Sequence, residues 1–275
     1  MAQNRASKYA SKVAERFSLK SVTEGAFSND YDWKGVDTVN VYSVGTATMQ
    51  AYAVNGDNRY GVIEEVDTTI QTLTLSRDRG FTKSIDRRNL DASMGAQEAG
   101  KFLARQLDEV ITPEIDVYRL ATMYTAASSN SATGTPAAVT SSNAYTVFLD
   151  TNKFLTNNKV PLTGRIGFMT PGHYNFLKQS NYVLASEAGM ASRKSGSLGT
   201  VDGVEIRVVP DSYMPTNVTL IIVHPDSVVS PMVLADYVTH KNPRGVNGWV
   251  VEGRVVYDCF VLTAKISGIA SHQTS

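Results

Sequence analysis

The sequence has a single cysteine, Cys259, in 275 residues. That excludes a disulfide framework within one chain and points to a reducing compartment. No run approaches the ~20 apolar residues of a membrane span, and the N-terminus lacks the apolar core of a signal peptide. Net charge is absent too: 26 Lys and Arg balance 26 Asp and Glu. No bulk attraction to nucleic acid or anionic membrane follows from such a balance. These absences imply a soluble protein made in a cytoplasm, where the sequon Asn217-Val218-Thr219 is a chance match.

Catalytic signatures are missing as well. There is no GxSxG, GxGxxG, CxxC or HExxH, and no complete phosphate-loop motif. The Gly-rich stretch "KSGSLG", residues 194–199, lacks a Lys-Ser/Thr ending and reads as a mobile loop. His173, His224, His240 and His272 make no ligand pair at helical spacing. Cys259, beside Phe260 in a strand pattern, reads as a small buried hydrophobe. No catalytic residue, metal site or cofactor is expected.

Apolar residues make up 42% of the chain and charged ones 19%, a globular composition with ample material for a core. At the N-terminus, Lys8, Lys12, Arg16 and Lys20 recur every fourth residue, and Tyr9, Val13 and Phe17 do so one position later. Both stripes fit a short helix with one basic and one apolar face. With Arg5, five cations against Glu15 leave this arm at +4. The basic face is either the solvated side of a docked helix or a surface for anions. So short a helix is marginal alone and needs a neighbour for its apolar face.

Residues 21–36 read as an irregular connection carrying Phe27, Tyr31 and Trp33. Alternation from Val39 predicts a strand, and "TTIQTLTLSRD" predicts another, with a turn at Asp78-Arg79-Gly80 before "GFTKSID". The polar tip "NGDNRYG", residues 55–61, lies between them. Such a hairpin has little core of its own and must lie on something else. Asp91 to Val110 is the clearest helix, with Ala99, Phe102, Leu103, Leu107 and Val110 on one stripe. Pro113 then either kinks it or opens a second helix capped by Thr112. Residues 125–143 are small and polar, an exposed loop or a flexible insertion rather than an active site. Strands and helices alternate beyond: a helix after a Ser142 cap, the buried strand "GRIGFMT", a helix started by Thr170-Pro171, a hairpin at Asp202-Gly203, the strand "VTLIIVHP", and one or two long strands at the end.

"RQLDEVITPEIDVYRLA", residues 105–121, gathers Asp108, Glu109, Glu114 and Asp116 around Pro113. General acid/base work or a metal needs carboxylates that converge. Asp108 and Glu109 are adjacent on a helix and diverge by about 100°. Arg105 precedes them by three and four residues, and Arg119 follows Asp116 by three, spacings for ion pairs on a helix surface. Exposed pairs of this kind contribute about 0.3–0.5 kcal/mol each.

"DYDWKGVDTVNVYSV", "RYGVIEEV", "LSRDRGFTKSIDRRN", "AGKFLARQLDEVITPEIDVYRL" and "NKVPLTGRIGFMTPGHYNFLKQS" occur in that order. In this order, over roughly residues 30–270, the chain resembles the major capsid proteins of tailed bacteriophages with the Hong Kong 97-type fold. The resemblance implies an α+β chain: an N-terminal arm (1–38), an extended β-hairpin loop with adjoining peripheral-domain strands (39–90), the long spine helix of a peripheral domain (91–123), an axial α/β domain (124–238), and C-terminal strands returning to the peripheral domain (239–275). It implies self-assembly into hexamers and pentamers of an icosahedral shell around double-stranded DNA. Asn58, Arg59 and Tyr60 at the hairpin tip would touch another copy, and the basic face of the arm would meet DNA or a scaffold. Portal, scaffolding and cement proteins are further implied partners, with assembly in the bacterial host cytoplasm, a place in the virion capsid, and no membrane.

Two departures from some family members accompany the likeness. The chain begins at Met1 without a long helical segment, which leaves scaffolding to a separate protein or to none. Residues 46–66 hold no Lys, so Lys–Asn cross-linking is unsupported there. The rival expectations are an encapsulin-like nanocompartment shell and, from another class, a soluble α/β hydrolase or binding protein.

Overall fold

The computed structural model describes residues 20–28, 30–33, 36–55, 57–88, 99–180 and 199–275. The main core surrounds "RIGFM", strand β4 (Arg165–Met169), in which every residue is buried. Such a run has no polar face because both sides of the strand are covered. It is flanked by β7 (Val218–Val223) and β6 (Val204–Val208) in a five-stranded sheet completed by β12 (Ile269–Gln273) and β5 (Thr200–Val201), in the order β12-β7-β4-β6-β5. β4 and β6 are parallel and the other pairs antiparallel. Gly167 lets them close up, because a Cβ there would stand 3.1 Å from Val204 Cγ1. Helices α2 (Thr112–Ser129), α3 (Ala144–Asn157) and α4 (Pro171–Gln179) contribute Leu120, Met123, Phe148, Leu155 and Leu177 to this core.

A second sheet is long and antiparallel, in the order β3-β10-β9: β3 (Arg77–Asp86), β10 (Gly248–Tyr257) and β9 (Met232–Lys241). Its Val255 and Tyr257 pack on Ile115 of α2, and Phe81 meets Phe102 of α1 (Ala99–Gln106) edge-on at 6.3 Å. Two smaller sheets pair β1 (Thr38–Val44) with β2 (Thr68–Thr74), and β8 (Val228–Val229) with β11 (Phe260–Val261).

Four expectations are corrected. Asp78-Arg79-Gly80 is no turn; it lies within β3, where Gly80 pairs with Arg254. The break falls at Leu75–Ser76, and Arg254 reaches back on the same face to Asp78, with 2.9 Å from Nε to Oδ1. Asn143, not Ser142, stands at the cap position of α3, and the Ser142 hydroxyl is engaged with Thr140 Oγ1 at 3.0 Å.

Pro113 stands in the first turn of α2, the second of the two expected arrangements, but Thr112 does not cap that helix: Ile111 precedes it in helical geometry with no side-chain cap. Leu107–Ile111 forms a π turn between α1 and α2, and the Thr112 N–H reaches back to Leu107 O. A proline lacks the N–H for the carbonyl four residues back and its ring clashes with it; widening the preceding turn relieves both. Finally, 239–275 does not return to a single sheet. β10 lies in the three-stranded sheet, but β12 pairs with β7 in the five-stranded one. The expected helix start at 91–98 lies outside the described residues.

Candidate functional site: the projecting hairpin and its anchor

β1 and β2 pair in unbroken register from Thr38↔Thr74 to Val44↔Thr68, and Gly45 N–H to Asp67 O at 2.8 Å closes the ladder. The described residues beyond it, 45–55 and 57–67, form a long loop with only local order. Ala53 N–H donates to Arg59 O and Gly61 N–H to Asn58 O, each at 3.0 Å, and Tyr52 meets Tyr60 edge-on at 5.0 Å. Asn58, Arg59 and Tyr60 are all exposed at this tip. Large apolar side chains lie bare along the loop: Met49 is 99% exposed, Ile63 92% and Tyr60 88%, with Val54, Val62 and Val66 close behind. Single exposed apolar residues are ordinary, but a succession of them on one projection marks an interaction surface.

The base, by contrast, is fastened. Gln71 donates its amide to Val261 O at 2.9 Å and accepts the Thr263 N–H at 2.7 Å. Ser76 gives both its N–H (2.7 Å) and its hydroxyl (2.9 Å) to Asp258 Oδ2. Trp33 lies parallel to Phe260 at 5.6 Å, and with Leu73, Val229 and Leu262 it makes a small separate core. The hairpin is therefore rigidly rooted and bare at its outer end.

The acids of residues 105–121 do not converge. Glu109 pairs with Arg105 at 3.0 Å, the expected i,i+4 pair. Glu114 holds Arg79 of β3 at 2.7 Å and the Tyr257 hydroxyl at 3.1 Å; burial and that carboxylate push the Tyr257 phenol up to about 12. Asp108 is exposed. Asp116 and Arg119 are corrected from a surface pair to a buried one, at 1% and 9% exposure. Asp116 accepts Ser21 Oγ at 2.8 Å, Val22 N–H at 2.9 Å and Thr23 Oγ1. Arg119 donates to Ser230 Oγ at 2.8 Å and Thr23 Oγ1 at 3.1 Å, stands 3.9 Å from Asp116, and covers the Phe27 ring at 4.5 Å. Burial draws its guanidinium below the usual arginine range. This latch ties the segment after the N-terminal arm to α2. Lys8, Lys12 and Arg16, with Tyr9, Val13 and Phe17, lie outside the described residues; Lys20 is exposed.

Two positions of consequence had no signal in sequence. Arg165 is buried, yet its partners are Pro161 O at 2.8 Å, Val160 O at 2.7 Å, Thr156 Oγ1 at 3.0 Å and Asn152 Oδ1. It closes the C-terminal end of α3, where the helix dipole favours a cation. Asp258 is the second, joining hairpin, α2 and β11. Among the described residues no group of His, Cys, Asp and Glu is placed to hold a metal ion, and no helix is long and apolar enough to cross a membrane. Burial pushes the Cys259 thiol up to about 12, far from a reactive thiolate.

No protein-family model matches the sequence, and no curated protein matches it. Solved structures do. A chain of Mycobacterium phage Che8 superposes with a TM-score of 0.75 at 16% identity, over 98% of this chain and 97% of that one. A chain from the capsid structure of the cyanophage P-SCSP1u gives 0.76 at 13% identity, over 98% and 93%. One from the asymmetric unit of the bacteriophage PhiM1 mature capsid gives 0.74 at 13% identity, over 98% and 92%. The α+β fold is shared with these phage chains, the second and third of which come from capsid structures.

Proposed function

We propose that this chain is a major capsid protein, the structural subunit of an icosahedral shell enclosing the double-stranded DNA of a tailed phage. One observation carries the reading: a hairpin rooted by Gln71 and Ser76 projects a loop of bare apolar side chains that the described residues of its own chain do not cover, on a fold shared end to end with chains of phage capsid structures. The exposed loop needs other chains, and obligate interfaces of ~2,000 Å² or more supply the missing burial.

In this reading the hairpin is the extended loop, and its tip, Asn58 to Tyr60, lies on a neighbour. α1, the π turn and the start of α2 are the spine, and with the three-stranded sheet they form the peripheral domain. The five-stranded sheet and its helices form the axial domain at the centre of hexamers and pentamers. Lys8, Lys12, Arg16 and Lys20 face packaged DNA, through nonspecific contacts, or a scaffold. Portal and cement proteins are further partners, and the shell is assembled in the host cytoplasm before it becomes the virion capsid.

The test is size-exclusion chromatography of the expressed chain followed by negative-stain microscopy. Large shells, filled with DNA when formed during infection, are expected. A discrete monomer or small oligomer under every condition overturns the reading, and small protein-filled shells would indicate a nanocompartment instead. Deleting residues 57–60 should lower particle yield; unchanged yield and melting temperature would remove the tip from the interface.

A further inference from the structure

The formal charge of the chain is zero, but its exposed charges are segregated. The limb of the loop that descends to β2 carries Glu64, Glu65 and Asp67, all exposed, between exposed Val62, Ile63 and Val66. No cation stands among residues 61–67. A surface of opposite sign lies at one end of the three-stranded sheet. Gly248 pairs with Asp86 and Trp249 with Lys241, while Arg87 N–H donates to Asn247 O at 2.9 Å. This register gathers Lys83, Arg87, Arg88, Lys241 and Arg244, every one exposed, around Asp86. Neither the acids of the limb nor these cations join an ion pair among the described residues.

Other charged surfaces are poor matches for the limb. The outer face of the same sheet holds a trough of about 530 Å³, but Asp78, Asp236 and Glu252 line it. Its Arg254 is already paired with Asp78, and His240 stands 3.5 Å from Glu252. An acidic limb is repelled there. On the spine, Arg105 and Arg79 face Glu109 and Glu114. The sheet end alone offers several cations free of carboxylate partners among the described residues.

The two surfaces are not joined within one chain. The hairpin is fastened where β3 begins, at Ser76, and the basic end lies where β3 finishes. β3 is 10 residues long, which at ~3.3 Å per residue separates the two by about 30 Å. No hydrogen bond or ion pair links residues 61–67 to the sheet end among the described residues.

We propose that the acidic limb Glu64-Glu65-Val66-Asp67 of one copy docks on the basic sheet end, Lys83, Arg87, Arg88, Lys241 and Arg244, of a second copy. Val62, Ile63 and Val66 are covered in the same contact. The occupant is a second copy because complementary charge and the uncovered apolar side chains occur on the same short limb. The inference rests on the reading that the chain self-assembles. Charge complementarity here sets register and partner choice, while the apolar side chains supply the burial.

The experiment is a charge swap in the full chain, read as shell yield by sedimentation and as melting temperature of the unassembled subunit. Glu64→Lys/Glu65→Lys/Asp67→Lys and, separately, Arg87→Glu/Arg88→Glu/Arg244→Glu should each lower yield roughly tenfold or more, because like charges then face one another. Subunit melting should be unchanged, and combining the two sets should restore assembly. Unchanged yield from either set, or no restoration from the combination, overturns the inference while wild-type shells still form. Failure of the wild type to form shells overturns the underlying reading instead. Normal shells that lose DNA in the arginine variants would place the basic end against nucleic acid, also overturning the proposal. Should a swapped chain misfold, Glu64→Gln/Glu65→Gln/Asp67→Asn asks the same question. Wild-type yield should fall between about 0.05 M and 0.5 M NaCl and the neutral variant should lose that dependence; an unaltered dependence overturns the inference.

Discussion

The Asp258 carboxylate takes both the N–H and the hydroxyl of Ser76 on one oxygen, at 2.7 and 2.9 Å. Its other oxygen accepts the Tyr118 hydroxyl and the Cys259 N–H, each at 2.7 Å. One buried side chain therefore fixes the angle between the hairpin, α2 and the segment leading into β11. If the loop must reach a neighbour in a defined direction, this junction sets that direction.

Asp258→Ala leaves two N–H groups and two hydroxyls without their shared acceptor. Unsatisfied buried donors cost about 1–3 kcal/mol each when water cannot reach them, and partial rehydration at Ser76 brings the expected loss to about 3 kcal/mol. Urea unfolding measures the loss, and amide exchange should quicken across residues 68–76 more than across β4. Uniform quickening would show that Asp258 stabilises the whole chain rather than the hairpin root.

Asp116→Ala removes the acceptor for residues 21–23 and strands Arg119 at 9% exposure. Breaking one side of a buried charge pair costs about 3–5 kcal/mol. The distinguishing readout is limited proteolysis, which should open new cuts within residues 20–28. Asp116→Asn keeps the shape but loses charge and half the acceptor capacity, so a smaller loss is expected. Equal resistance to proteolysis in wild type and Asp116→Ala would contradict the latch.

Gly253 sits under two aromatic rings. A Cβ there would collide with Phe81 and stand 2.7 Å from Tyr237 Cδ1. The absence of a side chain lets Phe81 lean across β10 towards Phe102 on α1. Gly253→Ala should thus destabilise by about 1–3 kcal/mol through overpacking, although alanine restricts the unfolded chain more than glycine does. A stabilised variant in thermal unfolding would show that the rings yield freely.

What could be read from sequence was whatever local pattern decides. After Arg165, "IGFM" is continuous and apolar because both faces are covered, and Thr170-Pro171 starts α4 with the Thr170 hydroxyl accepting the His173 N–H. The polar tip at Asn58 to Tyr60 is exposed as turn chemistry suggests. Asp116 and Arg119 could not be placed correctly, because i,i+3 spacing is identical for exposed and buried pairs. What buries them is Ser21 to Thr23, more than ninety residues away in the chain. Gly80 carried a turn signal that cross-strand pairing with β10 overrode, and β12 left the sheet of β10 because Thr263–Gly268 turns the chain back towards β7.

His173 provides a pH test of the main core. Its ring is buried, with Nδ1 3.3 Å from Thr219 Oγ1, Nε2 3.3 Å from Ala144 O, and His272 6.5 Å away. Burial lowers its pKa to about 4, with the Ala144 carbonyl opposing the shift and His272 adding to it. The ordinary value in an unfolded chain is about 6.5. As pH falls below that value the unfolded chain takes up a proton that the folded ring refuses. The neutral ring's contribution is therefore whole above about pH 6.5 and drains away down to about pH 4, where the folded ring begins to protonate. The loss over that window is about 3 kcal/mol, at most ~1.4 kcal/mol per pH unit. Wild type and His173→Gln should be compared by urea unfolding across the window, because carboxylates titrating near its lower end cancel in the difference. The wild type should lose stability faster on acidification than the variant; parallel curves would mean that the His173 ring reaches solvent in the folded chain.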